Sequence, residues 1–264
     1  MQFYQELIGM LRWATELGRT DILLETAMMS QFQASPRQGH MEQVFHIFAY
    51  LEKKPKTSIY MDPSLPNIDY SAFKGNKNDF KEYYRGAEEL LPHRMPQPRG
   101  KPVITTGFVD SSHAANKKDR RSHSGHLLFV NRAPIKWYSK RQQTVETSAF
   151  SSEFLALKGC IEDVNHLRFK LRMFGVPLIK DPITNLDHAT NIFCDNEGVV
   201  KNSTNVDSTL NKKHSSVAYH FTRWSVAAGI CTLAWIRSTE NLADAFTKRL
   251  AEPIRDYLFG NWMY

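Results

Sequence analysis

The sequence contains few cysteines. Only Cys160, Cys194 and Cys231 occur among the 264 residues, each within an apolar run, and none of them forms the C-x-x-C spacing of a zinc site. We therefore expect reduced, buried thiols rather than a disulfide framework, as is typical of proteins inside the cell.

The sequence also lacks segments that direct a chain to a membrane. Its first residues do not show the charged-then-apolar pattern of a signal peptide, and no uninterrupted apolar run is long enough to span a bilayer. These absences predict an intracellular protein, cytoplasmic or nuclear, with no membrane partner.

Positive charge is in moderate excess. There are 34 Lys and Arg against 27 Asp and Glu, which gives a formal net charge of +7 and a pI near 9.2. A basic surface favours polyanionic partners such as nucleic acid, although many basic proteins bind none. Hydrophobic residues make up 42% of the chain, which is enough for a globular core.

Three segments differ in pattern. In residues 1–60 apolar residues recur at helical spacing, beginning with Tyr4, Leu7, Ile8 and Leu11, which predicts a small α-helical segment. Residues 61–100 hold five prolines between charged residues and are predicted to be a linker, with a short helix at about 79–91. Residues 101–264 show an α/β pattern, and we expect this part to fold alone.

The α/β part is predicted to contain five strands and several helices. A long helix from about residue 150 to 171 follows the third strand, and Gly175 and Pro177 end it. This order predicts a mixed five-stranded sheet flanked by helices. The expected strands are residues 103–109, 126–130, 135–138, 191–194 and 231–236.

Four acidic residues occupy informative places on these elements. Asp110 and Asp195 each end a predicted strand, where ligand sites of α/β sheets lie, although Asp is also common there as a turn residue. Glu153 faces the buried side of the long helix, so it needs a cation or an ion pair with Arg or Lys. Asp244 follows a predicted helix cap at Asn241, where the helix dipole alone favours an acid.

Together the four acids predict more than each does singly. Converging carboxylates without a compensating base repel one another, and divalent cations relieve that repulsion. Carboxylate oxygens suit Mg²⁺, and two such ions can activate a water and stabilise the leaving oxygen of a phosphodiester.

The order strand-Asp, helix-Glu, strand-Asp, helix-Asp resembles that of ribonuclease H. More closely, the chain resembles the ribonuclease H domain of copia-type LTR retrotransposon Pol polyproteins. The matching stretches are FVDSSHA at 108–114, RRSHSG at 120–125, APIKWYSK at 133–140, VETSAFSSEFLA at 145–156, CDNE at 194–197, YHF at 219–221 and NLADAFTK at 241–248.

The resemblance implies a ribonuclease H-like fold for residues 101–264 and an endoribonuclease that cuts the RNA strand of RNA–DNA hybrids. The family's catalytic, metal-binding acids fall on Asp110, Glu153, Asp195 and Asp244. The implied cofactor is a pair of Mg²⁺ ions, for which Mn²⁺ can substitute.

Residues 1–60 are similar to the region that follows the polymerase palm in the same polyproteins. The matching stretches are YQELIG at 4–9, ELGRTDI at 16–22 and SPRQGH at 35–40. The family's Tyr-x-Asp-Asp polymerase motif does not occur in the sequence, so we expect no polymerase activity from this chain and expect the missing polymerase part to be a partner.

The sequence departs from the family pattern in two places. Ser112 stands where a second acid is usual, and Ala115 and Asn116 replace a frequent Gly-Asp pair. No histidine lies between Trp235 and Asp244, whereas cellular ribonucleases H have one there; the copia-type pattern lacks it as well. None of these changes affects the four predicted metal ligands.

Polar and basic residues beside the acids are the predicted contacts to the hybrid. Such enzymes grip phosphates and sugars rather than base edges, although a charge run is also typical of a plain solvated surface. The predicted residues are Ser111, Lys117, Arg120, Arg121, Lys140, Arg141, Gln142, Thr144, Ser148 and Asn196.

Two other functions remain open at this point. A non-catalytic connection-like domain or an inactive retroelement relic would bind template–primer without cutting it, although a connection-like domain is expected to lose the acids that this chain keeps. A DDE-type integrase shares the broad fold, but a helix-borne Glu followed by an Asp on the last helix fits it poorly.

Overall fold

The computed structural model describes residues 1–74, 80, 82–181, 185–210 and 215–264. Seven α-helices and six strands are found in this part of the chain. They are α1 (Gln2–Glu16), α2 (Leu23–Met29), α3 (Gln38–Lys53), β1 (Phe73–Lys74), β2 (Thr105–Ser112), β3 (His123–Val130), β4 (Ala133–Arg141), α4 (Ala149–Met173), β5 (Thr190–Cys194), α5 (Glu197–Thr204), α6 (Ser216–Ala227), β6 (Cys231–Trp235) and α7 (Glu252–Phe259).

The strands form a single mixed sheet in the order β1-β6-β5-β2-β3-β4. Strands β2, β3 and β4 pair antiparallel, whereas β2 with β5 and β5 with β6 pair parallel. The predicted mixed five-stranded sheet with flanking helices is thus confirmed. The two-residue strand β1 extends it by pairing antiparallel with β6.

Alternate residues of each strand face opposite sides of the sheet, so two cores form. On one side Leu128 and Val109 pack with helices α4, α5 and α6. On the other side Leu127 and Phe129 pack with helix α7 and with Trp262 near the end of the chain. The sheet is therefore covered on both faces.

Helix α4 runs along the first face. Ser148 caps its start by accepting a hydrogen bond from the Ser151 amide, and Gly175, at φ 72°, follows its end as predicted. A positive φ of this kind is the usual termination of a helix by glycine. The three cysteines are free and buried, also as predicted.

Helices α1, α2 and α3 pack on one another and also dock on the sheet. Tyr4, Ile8 and Val44 lie in their own core. The Trp262 indole donates to the Thr20 hydroxyl at 3.0 Å, and the Trp137 indole donates to the Thr15 carbonyl at 2.9 Å. The helical segment therefore shares an interface with the α/β part, and the expectation that residues 101–264 fold alone stays a prediction.

The segment 61–100, predicted as a linker, is more than a connection. Phe80 is completely buried in the core under α4, and Glu89 binds Arg168 and Arg172 of that helix. Prolines between charged residues gave the linker prediction, and such a pattern does not show where a chain lies on a surface. The predicted helix at 79–91 falls partly outside the described residues, and residues 82–91 form turns and extended chain.

The end of the α/β part differs from the prediction. A single last helix was expected from Asn241, but a five-residue 3-10 helix, Leu242–Phe246, precedes α7. Pro253 lies in the first turn of α7, where a missing N–H costs nothing, so a new helix begins there. Among the described residues no helix is long and apolar enough to cross a membrane.

Candidate metal centre

Asp110 and Asp195 meet because their strands are parallel neighbours. Val109 of β2 pairs with Cys194 of β5, so the residues that follow them lie side by side at the same edge of the sheet. Asp110 lies within β2, two residues before its end, while Asp195 directly follows β5. Carboxylate oxygens of Asp110, Asp195 and Asp244 all lie within 4.8 Å of one another.

Asp244 reaches this edge on the 3-10 helix. Asn241 caps that helix through the Ala243 amide, and its own amide donates to the Val109 carbonyl at 3.0 Å, which fastens the helix to β2. Gly125 of β3 permits the close approach, since a Cβ there would lie 2.9 Å from the Phe246 Cβ. The position of Asp244 thus depends on backbone packing.

Glu153 joins this cluster of acids from helix α4. It lies near the start of α4, only 6% exposed, and a carboxylate oxygen lies within 4.8 Å of ligand atoms of Cys194 and Asp195. Within the described residues, Glu153 Oε2 and Asp195 Oδ1 are buried and have no hydrogen-bond partner. Buried polar atoms without a partner are costly and call for a ligand. The oxygen-rich donor set, with two such free oxygens, fits a hard divalent cation.

The acids oppose one another's ionisation. Burial raises the pKa of Glu153 well above its ordinary value, and the charges of Asp110 and Asp195 raise it further. Burial and the charge of Asp110 raise the pKa of Asp244 to about 7. Burial likewise raises the pKa of Asp110, against the opposing charge of Lys248. These shifts are the expected result of carboxylates that share one site.

Three neighbouring residues that the motif analysis gave no role hold the cluster. Lys248 Nζ contacts Asp244 Oδ1 at 2.8 Å and Asp110 Oδ1 at 3.2 Å. The Thr247 hydroxyl donates to Asp110 Oδ2, and the Ser238 hydroxyl donates to Asp195 Oδ2 at 2.5 Å. Asp244 and Lys248 are four residues apart, so the sequence itself indicated their contact. The contact of Ser238 with Asp195 could not be predicted in this way, because 43 residues separate the two.

The predicted basic residues lie on the rim of this edge. Lys117, Arg120 and Lys140 are exposed, the first two in the loop between β2 and β3. Asp119 in the same loop pairs with Arg141 at 2.5 Å and with Arg121 at 3.6 Å. Arg121 and Arg141, which were both predicted to contact the hybrid, are thus partly neutralised within the protein.

The predicted polar contacts mostly bind the protein itself. The buried Gln142 amide donates to Ser124 Oγ and to the Ser152 carbonyl, and the Asn196 side chain caps α5. Thr144 donates to Glu146 at 2.7 Å. Ser148 caps α4, as described, and Ser111 is a buried neighbour of Asp110. A role for these five residues in hybrid binding stays a prediction.

Two plant retrotransposon polyproteins align with nearly the whole chain. It is 24% identical over 248 residues to the retrovirus-related Pol polyprotein from transposon RE1 of Arabidopsis thaliana, covering 94% of this chain and 14% of that protein. It is also 24% identical over 245 residues to the corresponding polyprotein from transposon TNT 1-94 of Nicotiana tabacum, covering 93% and 15%. The chain therefore spans about one seventh of the length of these relatives. No family model matches it.

Solved structures that align with the chain include two ribonucleases H. The N-terminal RNase H domain of a Mycobacterium tuberculosis protein aligns at a TM-score of 0.40, with 11% identity, over 60% of this chain and 97% of that chain. LC11-RNase H1 in complex with RNA/DNA hybrid aligns at 0.41, with 14% identity, over 54% and 93%.

The order and directions of the strands in this chain, together with its sequence relatives, are consistent with the motif resemblance. The expected resemblance is thereby confirmed: the chain is similar along almost its entire length to retrovirus-related Pol polyproteins of transposons, and its α/β part forms the mixed sheet that this resemblance implies.

Proposed function

We propose that this protein is a divalent-metal-dependent endoribonuclease that hydrolyses the RNA strand of RNA–DNA hybrids as part of a retrotransposon reverse transcriptase. The observation that supports it most is the convergence of Asp110, Glu153, Asp195 and Asp244 at one edge of the sheet, with two buried carboxylate oxygens lacking a partner among the described residues. Purely structural acids in a core are normally paired.

These four residues would hold two Mg²⁺ ions, with Mn²⁺ as a substitute. When bound, such ions activate a water and stabilise the oxygen that leaves the cleaved phosphodiester. The chain supplies the rest of the site. Ser238 and Thr247 orient Asp195 and Asp110, and burial keeps bulk water from screening the carboxylates.

The hybrid would lie across the rim formed by the exposed residues Lys117, Arg120 and Lys140. Lys and Arg side chains neutralise phosphates regardless of base sequence, which suits an enzyme that reads the form of the duplex. Salt should therefore weaken binding, and the slope of log affinity against log salt should become shallower when these residues are neutralised.

The relatives are polyproteins, and the chain spans a small part of them. We therefore propose the polymerase part of such a polyprotein as a partner. The exposed side chains of Phe3, Met10 and Trp13 on the outer face of α1 give it an apolar surface to contact.

The decisive experiment is incubation of the full chain with a labelled RNA–DNA hybrid in Mg²⁺ and in EDTA. We expect the RNA strand to be cut only with metal, single-stranded RNA and double-stranded DNA to be spared, and the Asp195→Asn variant to bind hybrid without cutting it. Arg132→Met, which breaks an exposed ion pair with Asp62 at the turn between β3 and β4, is the control. Metal-dependent binding without any cleavage would instead support a non-catalytic connection-like domain or an inactive relic.

A further inference from the structure

In the part of the chain that the structure describes, Lys248 is the cation that forms ion pairs with the acid cluster. Its ammonium lies 2.8 Å from Asp244, 3.2 Å from Asp110 and 3.9 Å from Asp195, on the three carboxylates that the proposed metal site shares. One positive charge in contact with three carboxylates occupies the place where a metal ion would bind them. A lysine ammonium and a divalent cation therefore compete for the same oxygens.

The ammonium is not fixed in this place by packing. The Lys248 side chain is 35% exposed, whereas Asp110 is 1% exposed. A lysine side chain is flexible and changes position readily. Its ion pairs leave the cluster incompletely neutralised, since Glu153 Oε2 and Asp195 Oδ1 remain without partners among the described atoms.

A second group of carboxylates lies beside Lys248. Lys248 also lines a cavity of about 340 Å³ between the helical segment and the α/β part, together with Asp21, Glu25, Arg249 and Arg255. Glu25 forms no ion pair in the described part of the chain, whereas Asp21 is paired with Arg19. Burial raises the pKa of Glu25, although the charges of Arg255 and Arg249 partly oppose that rise.

We propose that Lys248 is a movable counter-ion: it neutralises Asp110 and Asp244 while the metal site is empty, and it moves towards Glu25 in the neighbouring cavity when a divalent cation binds. The inference rests on the proposed metal site but not on the cleavage of RNA. Metal binding is then an exchange of cations, so the protein keeps its acids together without metal and binds metal less tightly than four free carboxylates would. The helical segment, through Glu25 on α2, takes part in metal binding at a distance.

The test is metal binding to the full chain without nucleic acid, measured by calorimetric titration with Mn²⁺ and with Mg²⁺. Lys248→Met should tighten the binding of the first ion by about tenfold or more, because a competing charge within contact distance is removed. In EDTA the same variant should melt about 2–4 °C lower, because the acids lose their counter-ion. Arg132→Met should change neither value.

Glu25 is tested by a double-mutant cycle. Glu25→Gln should weaken metal binding severalfold in the wild-type chain, since the displaced ammonium loses its acceptor, and should have no effect in the Lys248→Met background. If Glu25→Gln changed the metal affinity equally in both backgrounds, Glu25 would take no part in the exchange. Unchanged or weaker metal affinity of Lys248→Met would overturn the proposal as a whole.

A spectroscopic measurement covers the case in which Lys248→Met does not fold. In the chain labelled with ¹³C at lysine Cε, the signal that is absent from Lys248→Arg should shift on addition of Mg²⁺. A signal that does not respond while calorimetry records binding would contradict the exchange. Cleavage of hybrid, measured on the same preparations, separates this result from the nuclease proposal: exchange without cleavage would refute only the nuclease.

Discussion

Two buried clusters of charge lie at opposite ends of helix α4 and differ in how their carboxylates are neutralised. At the start of α4, three aspartates beside Glu153 share Lys248, the cation that pairs with them in the described part of the chain. At its end, Arg168 and Arg172 donate six hydrogen bonds of 2.6–3.2 Å, four of them to Glu89 and two to Asp187.

The pKa values express the difference. Burial opposes ionisation in both clusters, yet hydrogen bonds from Arg168 and Arg172 outweigh it and lower the pKa of Glu89. In the first cluster burial and like charges act together, and the pKa of Glu153 rises. A buried carboxylate that is paired stabilises the folded state, whereas an unpaired one destabilises it until a cation binds. The contrast separates a structural cluster from a candidate binding site.

The largest expected effect tests the structural cluster. Glu89→Ala should destabilise the protein by about 3–5 kcal/mol, because it leaves the buried Arg168 and Arg172 without their main partner. Urea unfolding monitored by circular dichroism measures the free energy. For the same reason residues 101–264 alone, which lack Glu89, should be less stable than the full chain.

The matched change in the acid cluster should act in the opposite sense. Glu153→Gln should leave the stability in EDTA unchanged or higher, because a buried charge without a hydrogen-bond partner on Oε2 is removed. It should abolish the additional stability that Mg²⁺ confers on the wild type. A loss of stability in EDTA as large as that of Glu89→Ala would show that the two clusters are both structural.

An intermediate effect is expected in the dependence of stability on pH. The pKa of Asp244, raised to about 7 in the folded protein, lies above its value of about 3.9 in an unfolded chain. The folded state therefore binds this proton more tightly, so in EDTA the contribution of Asp244 to stability is present below about pH 4 and is lost as the pH rises through about 7. Asp110, Asp195 and Lys248 face this group.

The lowered pKa of Glu89 has the opposite sign, since its contribution is present above the unfolded value and is lost as the pH falls through the folded one. Urea unfolding at pH 4–8 in EDTA should thus give a decline that Asp244→Asn flattens and Glu89→Gln leaves in place. Parallel curves for the wild type and Asp244→Asn would contradict the assignment of this decline to the acid cluster.

The smallest effects concern two glycines near these clusters. Gly125→Ala should destabilise the protein by about 1–3 kcal/mol and weaken metal binding, because the added Cβ pushes Phe246 and Thr247, which follow Asp244 closely in the chain, away from β3. Gly159→Ala, in the middle of α4 with open space at its Cβ, should stabilise by about 0.5–1 kcal/mol. Calorimetric melting with and without Mg²⁺ measures the stability and the metal binding of both variants. If Gly125→Ala bound metal as tightly as the wild type, Gly125 would have no part in positioning the site.

Local patterns predicted the elements but not all of their ends. The apolar spacing of α4 placed Glu153 on its buried side, whereas the strand predicted at 126–130 begins at His123. Helix α5 and the 3-10 helix before α7 were not predicted, because both are short and begin in loops. The proposed intracellular location and the domain boundaries at about 60 and 100 stay predictions.

The sequence by itself determined the order and the chemistry of the four acids, since strand ends and a helix face follow from local periodicity. Only the tertiary structure decided how they are neutralised. That outcome depends on contacts across the chain, such as Ser238 with Asp195 and Glu89 with Arg168, which no local pattern encodes. It also depended on the docking of residues 1–60 against α7, which places Glu25 and Lys248 beside one cavity. Burial and proximity set the charge state of a carboxylate, and both arise only when distant segments pack together.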